Sequence, residues 1–115
     1  MAVTAKLGNY RVSPRKARLV ADQVRGLGVE EALAQLRNSN KRFARPLAKL
    51  LRSAVANAEE KNNRERAGID VDNLVVHRIE VGAGGSSWRI RPRAQGRAAW
   101  IQRRTSNVRV ELAER

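Results

Sequence analysis

The chain has 115 residues, and its 24 Lys and Arg outnumber its 11 Asp and Glu, so its formal net charge is +13. This length predicts one domain, and a hydrophobic content of 42% allows a modest core. The chain has no Cys and one His, which excludes a disulfide framework, a thiolate nucleophile and a Cys or multi-His zinc site. No stretch is apolar enough to span a membrane, and residues 1–10 lack the apolar core of a signal peptide, so we expect an intracellular, soluble protein.

The basic residues are strongly biased towards arginine. Of the 24, 19 are Arg and 5 are Lys. The guanidinium group presents a planar fork of donors that matches phosphate oxygens and stacks on nucleobases. Because a surface that served only solubility could use either residue, the bias favours a nucleic-acid partner.

The first third of the chain predicts a short strand followed by two helices. Residues 2–12 are mixed in character and fit the strand. Ser13 and Pro14 predict the N-cap and first turn of a helix that ends at Gly26, and a shorter helix follows Gly28. The apolar side chains of the two helices recur at helical spacing: Ala17, Val20, Ala21 and Val24 in the first, and Val29, Ala32, Leu33 and Leu36 in the second.

The third helix has the strongest pattern, because its apolar side chains follow the helical period over four turns. They are Phe43, Leu47, Leu50, Leu51, Ala54 and Ala58. Since Pro46 lacks an N–H, we expect the helix either to kink there or to begin regularly near Arg45. It should end within residues 60–63, and residues 61–73 should form a polar connector.

Two strands are predicted in the last third of the chain. Leu74 and Val76 share one face of the first strand, whereas Ile79 and Val81 have the other parity. A bulge near residues 77–78 would place all four on the same side. In the second strand, apolar residues alternate with polar ones, which is typical of a half-buried antiparallel strand; they are Val108, Val110 and Leu112.

Between these strands lies an acid-free stretch that we call the arm, residues 81–104. Too few of its side chains are apolar, and too many carry like charge, for it to form a core layer. Since it joins two strands that should pair, the simplest geometry is a long hairpin with its base in the sheet and its turn near Pro92 and Gly96. At about 3.3 Å per residue it would project roughly 25–35 Å. An isolated ribbon of this kind is marginal in water, so we expect it to be mobile alone and ordered when bound.

Two groups of cations on the predicted helices point to phosphate binding, the alternative being an ordinary solvated surface. The first forms a stripe on the third helix, where like charges at i and i+4 repel; it comprises Lys41, Arg45, Lys49 and Arg52. The second lies at the start of the first helix, where the dipole disfavours cations unless an anion docks; it comprises Arg11, Arg15, Lys16 and Arg18.

Nothing in the sequence predicts catalysis, a cofactor or a metal site. The acidic residues lie in solvated or capping contexts, and His77 stands alone. The glycine-rich segment 82–85 is not followed by the Lys and Ser/Thr of a phosphate-binding loop, so it is interpreted as a flexible entry to the arm. We therefore expect a binding protein and not an enzyme.

Three segments in order resemble the family of large-subunit ribosomal protein twenty-two, in its bacterial form. They are Ser13-Pro14-Arg15-Lys16-Ala17-Arg18-Leu19-Val20-Ala21, Ser53-Ala54-Val55-Ala56-Asn57-Ala58-Glu59, and Arg91-Pro92-Arg93-Ala94-Gln95-Gly96-Arg97-Ala98 followed by Arg103-Arg104-Thr105-Ser106. The resemblance extends from about Ala5 to Leu112.

The resemblance implies an α+β fold in which three helices pack on a small antiparallel three-stranded sheet, with a long protruding β-hairpin. The body would comprise about residues 1–80 and 105–115 of a single domain spanning 1–115. The protein would bind large-subunit ribosomal RNA, aid subunit assembly, contact neighbouring ribosomal proteins and act as a monomer within a cytoplasmic or organellar ribosome. The end of the hairpin would line the nascent-peptide tunnel and touch the nascent peptide, through Ser87, Trp88, Arg89, Ile90 and Arg91.

The RNA-binding residues expected from charge and resemblance include the two helical groups and the arginines of the arm. The latter are Arg89, Arg91, Arg93, Arg97, Arg103 and Arg104. The main alternative is an architectural DNA-binding protein whose basic β-arm wraps a duplex. A small RNA-modifying enzyme is disfavoured because the chain offers no nucleophile, metal set or cofactor loop.

Overall fold

The computed structural model describes residues 2–66 and 68–114. It has the predicted α+β architecture of three helices and an antiparallel three-stranded sheet. None of the described helices is both long and apolar enough to cross a membrane. The elements follow in the order β1 (Ala2–Tyr10), α1 (Pro14–Val24), α2 (Val29–Arg37), α3 (Ala44–Glu65), β2 (Leu74–Pro92) and β3 (Ala98–Glu114).

The sheet has the order β1-β3-β2, so the strand that comes last in the chain lies in the centre. Leu112 of β3 pairs with Val3 of β1 on one side and with Val76 of β2 on the other. The register of β2 shifts between Val76 and Arg78, which confirms the predicted bulge. Because of this extra residue, Val76 and Ile79 both face the core and are both buried.

Helix α1 begins and ends where its capping residues predict. The Ser13 hydroxyl accepts a long hydrogen bond of 3.4 Å from the Lys16 N–H, and Pro14 occupies the first turn. Gly26 adopts a left-handed φ of 85°, and its N–H donates to the Val76 carbonyl at 2.8 Å. The glycine therefore ends the helix and ties that end to β2.

Helix α3 begins near Arg45, as one of the two predicted alternatives has it, but ends later than predicted. It begins at Ala44, so Pro46 falls in the first turn, where its missing N–H would have no partner within the helix. It continues to Glu65 instead of ending by residue 63. The Asn62 side chain stabilises this last turn, since it donates to the Ile69 carbonyl at 2.6 Å and accepts from the Ile69 N–H at 2.7 Å. The polar connector is therefore shorter than predicted.

One face of the sheet carries the helices, and the core lies between them. Its largest fully buried side chains come from α1, α3, β2 and β3; they include Val20, Val24, Leu47, Leu51, Leu74, Val76, Val108, Val110 and Leu112. No side chain of the arm is buried. The arm therefore extends beyond the core, and the molecule measures 65 × 28 × 16 Å.

The arm is a two-stranded ribbon whose turn spans residues 93–97. The Arg93 N–H donates to the Arg97 carbonyl at 2.6 Å, while Gln95 and Gly96 adopt φ values of 60° and 71°. The segment expected at the tip, residues 87–91, is instead the distal part of β2. The reason is the turn chemistry, because glycine readily adopts the left-handed conformation that closes the ribbon.

Candidate nucleic-acid interface

The fourteen side chains predicted to bind RNA are all exposed to solvent. None of them takes part in an ion pair among the described residues, whose ion pairs use other arginines. Exposed cations without a carboxylate partner are available to bind an external anion. The predicted residues are Arg11, Arg15, Lys16, Arg18, Lys41, Arg45, Lys49, Arg52, Arg89, Arg91, Arg93, Arg97, Arg103 and Arg104.

The first group lines a shallow groove along the start of α3, which we call the α3 groove. All four stripe residues, Lys41, Arg45, Lys49 and Arg52, contribute to it. Two cations that the helical pattern did not single out, Arg37 and Arg42, line it as well. Lys41 and Arg42 both precede α3, which begins at Ala44, so Lys41 does not lie on the helix as the predicted stripe had it. Arg42 was outside that stripe. Its position directly after Lys41 was the only signal in the sequence.

A second groove, the junction groove, lies where the start of α1 meets the base of the arm. It brings together basic side chains that are distant in the sequence: Arg11, Lys16, Lys41, Arg42, Arg103 and Arg104. Its lining includes Phe43, which is buried and packs against Tyr10 with ring centroids 5.8 Å apart. Because Lys41 and Arg42 line both grooves, the two grooves form one continuous basic surface.

Arg15 and Arg18 lie beside this surface, in a cavity shared with Arg104 of the arm. Arg18 has a structural role that the sequence did not predict. Its Nη2 and Nε donate to the Val81 carbonyl at 3.0 and 3.3 Å, at the point where β2 leaves the body. The guanidinium therefore holds the base of the arm and still has donors for an anion.

The arm divides its side chains between two faces according to the strand register. Arg89, Arg91 and Arg103 lie on one face, because Arg89 pairs with Ile101, Arg91 with Ala99, and Arg103 with Ser87. The opposite face carries Trp88, Ile90 and Trp100, together with Arg104, which pairs with Ser86. Arg93 and Arg97 flank the turn. The described lining of the three basic cavities includes no acidic side chain.

A set of hydrogen bonds, which we call the clasp, fixes the base of the arm to β1. The Asn9 N–H donates to Asn107 Oδ1 at 2.8 Å, and Asn9 Oδ1 accepts from the Gly85 N–H at 3.1 Å. The Thr105 hydroxyl donates to the Gly85 carbonyl. A Cβ at Gly84 would lie 2.5 Å from Thr105 Oγ1 and 2.8 Å from Asn9 Oδ1. The glycine therefore allows the clasp to close.

We predict that Gly84→Ala opens the clasp without unfolding the body. The added methyl must displace Thr105 or Asn9, which loses about 0.5–1.5 kcal/mol for each hydrogen bond broken. Amide hydrogen exchange should become faster at Gly85 and Asn9 and stay unchanged in β3 at Val110. Gly82→Ala is the control, because open space surrounds the Cβ position there. Equal exchange in both variants would contradict a closed clasp.

Three acidic side chains lie at the edge of the basic surface, because their cavity shares Arg52 with the α3 groove. Glu30, Glu31 and Asp72 line a different cavity, of about 380 Å³, beside the start of α2. Among residues 2–66 and 68–114, no three His, Cys, Asp or Glu side chains are grouped in a way that could hold a metal ion. His77 is exposed on β2.

Comparison with known sequences places these features in a family. The family described as ribosomal protein L22p/L17e matches residues 5–113. The chain is 52% identical over 108 residues to the large ribosomal subunit protein uL22 of Anaeromyxobacter sp. strain Fw109-5, which covers 94% of this chain and 72% of that protein. It is 50% identical over 108 residues to the protein of the same name from Anaeromyxobacter sp. strain K, with coverage of 94% and 71%. Because the family match spans nearly all of the sequence, the chain belongs to the ribosomal protein L22p/L17e family.

Proposed function

We propose that the protein binds large-subunit ribosomal RNA and aids the assembly of the large subunit. The observation that carries this proposal is the continuous basic surface formed by the α3 groove and the junction groove. Its cations come from three separate parts of the chain, and the described lining residues include no acid. Such a surface repels itself until a polyanion neutralises it, and release of counterions then supplies much of the affinity.

The shape of the molecule suits a folded RNA better than an extended duplex. The body offers a basic surface, and the arm carries further arginines about 30 Å away at its turn. One protein could therefore hold phosphates of RNA segments that would otherwise repel each other. Its specificity would come from the shape of the folded RNA.

For the arm, we propose that its distal part, residues 87–97, reaches the wall of the nascent-peptide tunnel. Partners there would be the ribosomal RNA and the nascent peptide, and the body would contact neighbouring ribosomal proteins. The protein would act as a monomer in the ribosome of the cytoplasm or an organelle. Its body and its arm would form a single domain. This proposal extends the earlier expectation for residues 87–91 to include the turn.

The surface of the body also weighs against the alternative of a dimeric DNA-binding protein. Leu19 is the one large hydrophobic side chain of the described body that is strongly exposed, at 54%. A stable dimer interface needs roughly 800 Å² from each partner, with an apolar centre. A single exposed leucine does not provide such a centre, which favours a monomer that binds RNA.

We predict that Lys41→Gln/Arg42→Gln weakens binding to a folded fragment of large-subunit ribosomal RNA. Both residues line both grooves, so the double variant removes two charges from the centre of the surface. The log–log salt slope should become shallower by about two, since each phosphate contact contributes about 0.9. Filter binding over a salt series measures this change.

The matched control is Lys61→Gln/Arg64→Gln, which removes the same net charge near the far end of α3. It should leave the slope nearly unchanged. Equal effects of the two double variants would mean that net charge, and not the basic surface, determines binding.

A competition experiment tests the DNA-binding alternative, with duplex DNA of similar size as the competitor. If it displaced the RNA fragment at equal concentration, the DNA-binding alternative would replace the proposal.

A further inference from the structure

The arm has a chemically distinct second face that the basic surface does not explain. Ile90 pairs directly with Trp100, and Trp88 lies two residues before Ile90 on the same side of β2. These three side chains form what we call the aromatic strip. Pro92 and Ala98 continue it towards the turn, since they also pair with each other.

The aromatic strip is free of packing against the body. Trp88, Ile90 and Trp100 are 55%, 60% and 67% exposed, which is unusual for large apolar side chains without a partner. The two indoles do not stack on each other, because the aromatic pair found among residues 2–66 and 68–114 is Tyr10 with Phe43. Both indole rings are therefore available to a ligand.

The charge around the strip determines which ligand suits it. The arm contains six arginines and no acidic residue. A second copy of the arm would add its own cations to the same place, and a purely apolar peptide would leave the guanidinium groups without anions. A single-stranded nucleic acid supplies both requirements, because its bases stack on aromatic rings and its phosphates bind Arg.

We propose that Trp88 and Trp100 stack on unpaired bases of an RNA strand that lies along the arm. Arg104, on the same face, and Arg93 and Arg97, beside the turn, would bind its phosphates. This inference rests on the proposed RNA-binding function and adds to it a preference for unpaired RNA. Phosphate contacts alone do not distinguish paired from unpaired RNA. The aromatic strip would give the arm a preference for single-stranded segments.

The two tryptophans are the only ones in the chain, so their fluorescence reports directly on the strip. The full-length protein is titrated with an oligoadenylate of about twelve nucleotides, a length within the usual range for such sites. A second titration uses an abasic oligomer with the same number of phosphates, and a third uses an RNA duplex. We expect the oligoadenylate to quench the fluorescence and to bind more tightly than the abasic oligomer.

Variants separate stacking from charge. Trp88→Leu and Trp100→Leu should each weaken oligoadenylate binding by about 5- to 150-fold, the range found for loss of one stacked base. Binding to the duplex should stay unchanged, which also verifies that each variant is folded. Trp88→Phe and Trp100→Phe should restore part of the affinity, because Phe keeps a planar ring. Ile101→Ala, on the opposite face of the arm, is the control and should have no effect.

Equal affinity for the oligoadenylate and the abasic oligomer, without quenching, would overturn the stacking proposal and leave phosphate binding intact. Fluorescence that changes with protein concentration in the absence of RNA would mean that the strip contacts a second copy. If the wild-type protein bound none of the three RNAs at low salt, the proposed function itself would fail. The three results are distinguishable in the same titration series.

Discussion

The affinity for a folded fragment of large-subunit ribosomal RNA should fall by about 10³- to 10⁵-fold between roughly 50 and 200 mM salt. This estimate assumes six to ten phosphate contacts, which is fewer than the fourteen exposed cations predicted to bind RNA. Each contact releases condensed counterions, so the logarithm of the binding constant should decrease linearly with the logarithm of the salt concentration. Filter binding or fluorescence anisotropy measures the slope.

The Mg²⁺ concentration must be held constant in this experiment, because it also controls the fold of the RNA. A control titration with a neutral nucleic-acid analogue of the same sequence should show almost no salt dependence. A slope near zero with the RNA itself would contradict the proposed interface, since it would mean that hydrogen bonds to bases or apolar contacts dominate binding.

Replacement of residues 86–104 by Asn-Gly should leave the body folded but weaken RNA binding. The deletion must remove both strands of the ribbon, because Ser86 pairs with Arg104. No buried side chain is lost, so unfolding should stay cooperative with little change in its midpoint. All six arginines of the arm are removed, and the salt slope should become shallower by up to about five. Calorimetry and filter binding measure the two effects.

Leu51→Ala is the control variant for this experiment, because it should lower the stability of the body without weakening RNA binding. Leu51 is fully buried in α3, and its truncation should lower the free energy of unfolding by about 2–5 kcal/mol. Its RNA affinity should match that of the wild type at temperatures where it is folded. If the arm deletion destabilised the body as strongly as Leu51→Ala, the arm would belong to the folding unit, contrary to its lack of buried side chains.

The helices could be predicted from the sequence because their signals are local. The caps of α1 depend on Ser13, Pro14 and Gly26, which lie within a few residues of the positions that they determine. The end of α3 could not be predicted in this way. Its last turn is held by Asn62, which binds Ile69 after the chain has reversed direction, so the stabilising contact exists only in the folded protein.

In the candidate interface, too, the residues in a local pattern could be predicted from the sequence, whereas those that depend on tertiary contacts could not. Composition and helical periodicity identified the stripe that includes Lys41 and Arg45. They did not identify Arg42, which joins the two grooves from a loop, or the bond of Arg18 to the Val81 carbonyl. Pro92 and Gly96 indicated the arm's turn, which the structure places at residues 93–97, whereas the resemblance placed the tip at residues 87–91.

The central position of β3 has a consequence for how the protein folds during synthesis. Val3 of β1 cannot pair until Leu112 has been made, which takes roughly 5–20 s at about 5–20 residues per second. During that interval the apolar faces of α1 and α3 have no completed sheet to cover them. The nascent chain is therefore a candidate for chaperone binding until its last strand emerges, and early contact with RNA could shield its charge but not these apolar faces.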